Sequence, residues 1–294
     1  MNGIVRLINV GIVIGLAVIA LACERTYPAR PSGVCRLTGM TDQNVSASGR
    51  VTDELQRTFT YGTDGGLMAI TEASSSPVSQ TATYQLERTD GRVTRATSGS
   101  AVLTLTYTAG TNGPTSATLS RGGVAKSTFA MQYKPNDRLG QVSETRIGLP
   151  NPSLITSRTY NFLYDNGGNL TTERVRFILQ GGIIVDQETE YSFDTRPSPY
   201  TYVPDRPLLT LVALSQDAET YPGRFWQQNA PTAYKSWFLS GNDRTSLRES
   251  ATYTPTYDSA NKLMSQGQNL LLYQASVPAP VTKTNRQAFT YQCD

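Results

Sequence analysis

From residue 35 onward the chain alternates between apolar and polar positions. In the stretch 101–107, Leu103, Leu105 and Tyr107 fall on one face and Thr104 and Thr106 on the other, the period of two expected of a half-buried strand. Val175, Phe177 and Leu179 share a side, opposite Arg174 and Arg176. Turn residues punctuate these runs. Tyr61 precedes Asp64-Gly65-Gly66, Tyr107 precedes Asn112-Gly113, Tyr133 precedes Asn136-Asp137, Tyr164 leads into Asp165–Asn169, and Tyr257 leads through Asp258 to Asn261. Asp-Gly and Asn-Gly tolerate the positive φ angles that tight hairpins need. Tyr61, Tyr84 and Tyr107 recur every 23 residues, two strands and two turns apart. Helical spacing is scarcely seen between 35 and 205. The pattern predicts an all-β fold: a single large antiparallel up-and-down meander, a strongly curved sheet or half-open barrel, over residues 35–294.

One region breaks the rhythm. Near 195–240 a proline-rich passage (Pro197, Pro199, Pro204, Pro207) is followed by the apolar run Leu208–Leu214, and then by Trp226 and Trp237 among Tyr221, Phe225, Tyr234 and Phe238. An irregular insertion is expected here. Its rings either cap the curved sheet as core, or form an exposed platform of Trp226, Trp237 and Tyr234 that stacks on sugar faces.

The first residues carry a different signal. Arg6 is followed by Val10–Ala22, thirteen residues without a polar side chain. This is too short for the ~20 residues of a spanning helix. It suits the apolar region of an export signal over residues 1–22. The segment Ala20-Leu21-Ala22-Cys23 resembles the lipobox of bacterial lipoproteins. That resemblance implies cleavage before Cys23 and acylation of its thiol, with residues 23–34 as a tether. The expected address is the bacterial cell envelope, at the outer membrane, with the membrane as partner through the lipid anchor.

Cys35 and Cys293 then remain, 258 residues apart. Both sit in strand-like contexts, and an exported protein matures where disulfides persist. A bridge between them is expected, which would bring the first strand beside the last; two buried free thiols are the alternative.

Composition removes more chemistry than it adds. The 294 residues contain no histidine, so the Ser-His-Asp and Cys-His arrangements and the commonest metal ligand are excluded. A net charge of +3 is too small and scattered for nucleic acid. No nucleotide-binding loop, nucleophile elbow or calcium loop is present. Ser259 and Lys262 match Ser-x-x-Lys, but in a hairpin turn instead of at a helix start. Glu188 and Glu190 share a strand face, as a solvated surface or, less simply, a glycosidase pair. No catalytic residue, cofactor or metal site is expected.

Two resemblances extend this reading. Tyr-Asp-Asn-Gly-Gly-Asn-Leu at 164–170 resembles the YD-repeat hairpin of Rhs-type shells. The whole mature chain is similar to Bacteroidota lipoproteins with porin-like or half-barrel β-meanders, through Cys35-Arg36-Leu37, the Tyr-turn-Leu units, Asn229-Ala-Pro-Thr232 and Tyr291-Gln-Cys293. They imply a fold and an envelope location and carry no activity; the lipobox, the hairpin repeats and the missing catalytic constellations lead to the expectation of a non-catalytic, lipid-anchored envelope domain that presents a β surface for binding or assembly. The competing function is a glycan-binding or carbohydrate-active lipoprotein using Trp226 and Trp237; an envelope protein is the other candidate partner.

Overall fold

A computed structural model of the chain describes residues 35–75, 79–148, 155–217, 219–274 and 277–293. The signal segment, Cys23 and the tether lie outside these residues. The alternating runs form sixteen strands. They are β1 (Cys35–Val45), β2 (Val51–Tyr61), β3 (Leu67–Ser74), β4 (Gln80–Thr89), β5 (Arg92–Ser98), β6 (Ala101–Thr106), β7 (Ser116–Arg121) and β8 (Val124–Tyr133). After them come β9 (Leu139–Arg146), β10 (Ile155–Tyr164), β11 (Leu170–Leu179), β12 (Ile184–Pro197), β13 (Asn229–Ser240), β14 (Asp243–Tyr257), β15 (Leu263–Leu272) and β16 (Val281–Cys293). Each strand pairs antiparallel with its sequence neighbours, and β1 pairs with β16, so the meander closes into a barrel. The half-open alternative gives way because the seam is paired from Cys35↔Cys293 to Val45↔Thr284, which leaves no free sheet edge. Cys35 and Cys293 form the expected disulfide at one end of that seam.

The turns sort to two ends. Those after β2, β4, β6, β8, β10, β12 and β14 lie at the disulfide end, and the others lie at the far end. A tyrosine device repeats at the disulfide end. Tyr61 donates its hydroxyl to the Leu37 carbonyl at 2.7 Å, Tyr107 to Val93 at 2.8 Å, Tyr164 to Leu139 at 2.8 Å and Tyr291 to Leu263 at 2.8 Å. Each acceptor is an apolar residue within the first three positions of its strand, in β1, β5, β9 and β15 respectively. Arg36, Arg92 and Arg138, one position before three of those acceptors, lie over the rings of Tyr61, Tyr107 and Tyr164. The spacing of Tyr and Leu in the sequence is thus a hydrogen bond between hairpins, covered by a cation–π contact.

Alternation sends Thr, Ser, Gln and charged side chains outward and apolar ones inward, as expected of the two faces. The interior is not uniform. From β3 to β10 the wall is mainly apolar, with Ile70, Tyr84, Leu103, Leu119, Phe129, Val142 and Tyr160 buried. From β12 through β16 to β1 the inward positions include Gln187, Tyr234, Glu249, Tyr253, Gln266, Gln268 and Gln287.

The irregular insertion is narrower than the sequence suggests. β12 runs on to Pro197 and β13 starts at Asn229, so Tyr234 and Trp237 belong to a strand. Residues 198–228 enter the lumen from the disulfide end. The apolar run becomes helix α1 (Arg206–Ser215), with Pro207 in its first turn and Leu208–Ser215 all buried. No periodic polar face is visible in that run because the helix is enclosed on all sides. The insertion then returns through the 3₁₀ turn Pro222–Trp226.

Candidate functional site

The insertion is tied to the wall by charged groups at buried positions. At the C-terminus of α1, Arg158 donates to the Leu214 carbonyl at 2.5 Å and Arg121 to the Ser215 carbonyl at 3.4 Å. Cations there satisfy orphan carbonyls and the negative end of the helix dipole. Arg158 is in turn held by Glu144 at 2.6 Å, and Arg146 pairs with Asp217. The Tyr84 hydroxyl meets Ser215 Oγ at 3.2 Å.

The returning arm has two anchors. Arg57 of β2, fully buried, pairs with Glu72 at 2.5 Å and faces Glu219 at 3.6 Å, with its guanidinium over the Phe225 ring. Glu173 of β11, also buried, accepts the Tyr191 hydroxyl at 2.6 Å and a backbone N–H from Gly223. Burial pushes the Glu173 carboxyl up to about 8, helped by the charge of Glu219 and opposed by those two hydrogen bonds. A Cβ on Gly223 would meet Glu173 Oε2 and Leu170 Cδ2 at 2.4 Å each, so only glycine lets the arm lie this close.

Between this arm and the polar wall lies a cavity of about 300 Å³. Its wall is made by inward positions of β1, β2 and β12–β16, and its ceiling by Ser198–Tyr200 and Glu219–Gln227. Tyrosines form an arc: Tyr191, Tyr221 and Tyr253 surround Tyr234 at ring-centroid distances of 6.2, 5.3 and 6.3 Å. The Tyr221 and Tyr234 hydroxyls both donate to Glu249 Oε1, at 2.5 and 2.9 Å. Burial together with the Glu249 carboxylate drives both phenols far above their ordinary range, so they stay protonated.

The charges that line the cavity are matched. Arg224 pairs with Glu219 at 2.6 Å and Asp42 at 3.3 Å, and Arg248 faces Glu249 at 3.5 Å while donating to Gln187 at 3.1 Å. Amides form directed relays. Gln266 donates to Gln287 at 2.5 Å, and Gln287 donates to Asp42 at 2.9 Å. Asn285 donates to Gln268 at 2.8 Å, and Gln268 donates to the Tyr253 hydroxyl at 3.2 Å.

The candidate ring platform does not assemble. Trp226 is buried on the plug, donating its indole N–H to Thr210 of α1 at 3.0 Å. Trp237 faces outward, under the Arg244 guanidinium at 3.9 Å. Only Tyr234 lines the cavity. Glu188 and Glu190 also point outward, where Arg244 bridges them and Arg174 holds Glu188, keeping the Glu188 carboxyl below its usual range despite partial burial. They form a surface ion-pair ladder and have no cleft between them. The cavity residues Gln266, Gln268, Glu249 and Gln287 were not singled out in the sequence, although each sits in phase with an apolar face. Among the described residues no cluster of acidic or cysteine side chains could hold a metal, and no helix is long and apolar enough to cross a membrane.

No family model matches the chain, and no curated protein is similar to it. Two crystal structures align with it over most of their length. A porin-like protein from Bacteroides vulgatus aligns at TM-score 0.44 and 11% identity, over 87% of this chain and 98% of its own. A porin-like protein from Bacteroides uniformis aligns at TM-score 0.56 and 14% identity, over 87% of this chain and 96% of its own, and with it this chain shares the fold of a porin-like antiparallel barrel.

Proposed function

We propose that this protein is a lipid-anchored cell-envelope protein of the outer membrane, and that its barrel is a non-catalytic binding module and not a channel. The observation that carries the reading is the lumen: residues 198–217 and 219–228 cross it, α1 packs against its apolar half, and what remains is a cavity of about 300 Å³ with a mixed polar and apolar lining. The outer surface supports the same view. A barrel embedded in lipid needs an outward apolar band, whereas the outward positions of β2 are Glu54, Gln56, Thr58 and Thr60, and those of β4 are Thr81, Thr83, Gln85 and Glu87. The membrane is then reached through acyl chains on Cys23, and the Tyr-Asp hairpins, akin to YD repeats, serve as wall-building units.

Membrane fractionation of Cys23→Ser against the native protein tests this. The native chain is expected in the membrane fraction and released only by detergent, and Cys23→Ser is expected in the soluble periplasmic fraction, folded. Retention of Cys23→Ser in the detergent-only fraction after removal of residues 1–22, verified by mass spectrometry of the N-terminus, would mean that the barrel itself is embedded, and would refute the reading.

A further inference from the structure

We infer that the lumen cavity takes a small organic monocarboxylate, held through Arg248 at the cavity's mouth; this deepens the binding reading above and rests on it. Access comes from the end opposite the disulfide. The lining residues toward that end, Leu55, Arg248, Leu270 and Asn285, are partly exposed, whereas Tyr200, Leu263 and Phe289 toward the disulfide end are buried. The lumen is therefore a cup that the plug closes at one end, and Arg248 stands inside its open rim.

Strict alternation would not put Arg248 there. Arg248 and Glu249 are neighbours in β14, yet both line the cavity. The β13–β14 register passes from Ser236↔Glu249 to Trp237↔Leu247, so Arg248 is the extra residue of a β-bulge, a device that re-aims a side chain. Its guanidinium is oriented without being neutralised. Nη1 donates to two uncharged acceptors, Gln187 Oε1 at 3.1 Å and the Tyr221 hydroxyl at 2.8 Å. Nη2 comes only to 3.5 Å from Glu249 Oε2, and the charge of Glu249 is already held by the Tyr221 and Tyr234 hydroxyls. An anion on Arg248 therefore strands no buried carboxylate. The Nε–Nη2 edge donates no hydrogen bond among the described residues. It stays open to the cavity, unlike the enclosed Nε of Arg224, and the side chain keeps 28% of its surface exposed.

The ligand class follows from that edge. Nε–H and Nη2–H point the same way in one plane, the fork that fits the two oxygens of a carboxylate. One negative charge is all the site can take, because the other lumen guanidiniums are committed, Arg224 to Glu219 and Asp42, and Arg57 to Glu72. Among the lining residues, the half-buried Leu55, Leu270, Tyr221 and Tyr253 offer apolar surface to the body of the ligand. A volume of about 300 Å³ is at the lower end of small-molecule sites.

The test is isothermal titration of the disulfide-bonded protein with phenylacetate and hexanoate, beside phenylacetamide, hexanamide, phenethylamine and inorganic phosphate. Saturable binding of at least one carboxylate is expected, about tenfold or more tighter than its amide, the order of one hydrogen bond to a charged group. Arg248→Gln should bring the carboxylate down to the level of its amide, and Arg248→Lys, which keeps the charge without the fork, should fall between. Each variant is checked for a native melting transition. Leu270→Trp narrows the mouth with Arg248 in place and should weaken the same binding, which keeps the test open if Arg248→Gln does not fold. Trp237→Ala, on the outer face, should bind as the native protein does. Carboxylate binding unchanged in Arg248→Gln, or in Leu270→Trp where Arg248→Gln fails to fold, overturns the assignment, as does its loss with Trp237→Ala. Preference for an amide, the amine or phosphate overturns the ligand class and leaves the binding module standing. Binding of none of the six overturns the site itself, while anchoring at Cys23 is decided separately by fractionation of Cys23→Ser.

Discussion

At the scale of single residues, the interior of this barrel is set by charged side chains placed on an otherwise apolar phase. Glu173 shows the consequence. Its carboxyl sits at about 8 in the folded protein against the usual 4.5 of a glutamate, so the folded state keeps a proton that the unfolded chain releases between those values. Its contribution is therefore complete below about pH 4.5 and is lost as pH rises through 8. Unfolding free energy measured by denaturant titration should fall across that window by a few kcal/mol in the native protein. In Glu173→Gln that part of the fall should vanish, because the amide keeps the Tyr191 and Gly223 hydrogen bonds without titrating. Parallel curves for the two proteins would count against the burial argument.

At the scale of elements, strands and turns were legible because period-two alternation and Asn/Asp-Gly corners act locally. The Tyr-to-Leu recurrence was legible as a repeat, though not as a hydrogen bond between hairpins, since no local rule ties Tyr164 to the carbonyl of Leu139. Helix α1 was not legible. Leu208–Leu214 carries a single polar side chain, Thr210, and no polar face, and a short, almost wholly apolar run is equally a buried strand or a buried helix. The seam between β1 and β16 depends on the least local pairing in the molecule, and the Cys35–Cys293 bridge holds it. Cys35→Ser or Cys293→Ser should cost about 2–5 kcal/mol of stability. The readout is the melting temperature, which should drop for either variant and for the native protein under reductant. An unchanged transition would show that strand pairing alone closes the barrel.

At the scale of the whole molecule, the split between an apolar half that grips a helix and a polar half that faces a cavity explains both what the sequence revealed and what it hid. The curved meander followed from composition and rhythm. Closure required counting strands and joining the ends. The site required reading the inward phase of β12–β16, where Gln187, Glu249, Gln266 and Gln287 interrupt positions that β4–β9 fill with Tyr, Leu, Phe and Val. Tryptophan drew attention elsewhere: Trp226 and Trp237 are separated by the barrel wall, and the less conspicuous Gln and Tyr positions converge. Sealing of the lumen by residues 198–228 is the claim on which the channel-free reading and the cavity both depend. Hydrogen–deuterium exchange resolved to single amides tests it most directly. With the helix enclosed, the amides of Leu211–Leu214 should exchange only through global unfolding, as slowly as those of central strands such as β10 and β11. Exchange of those amides on the timescale of the exposed turn at 122–123, while the strands stay protected, would show that the helix leaves the lumen and would contradict the account.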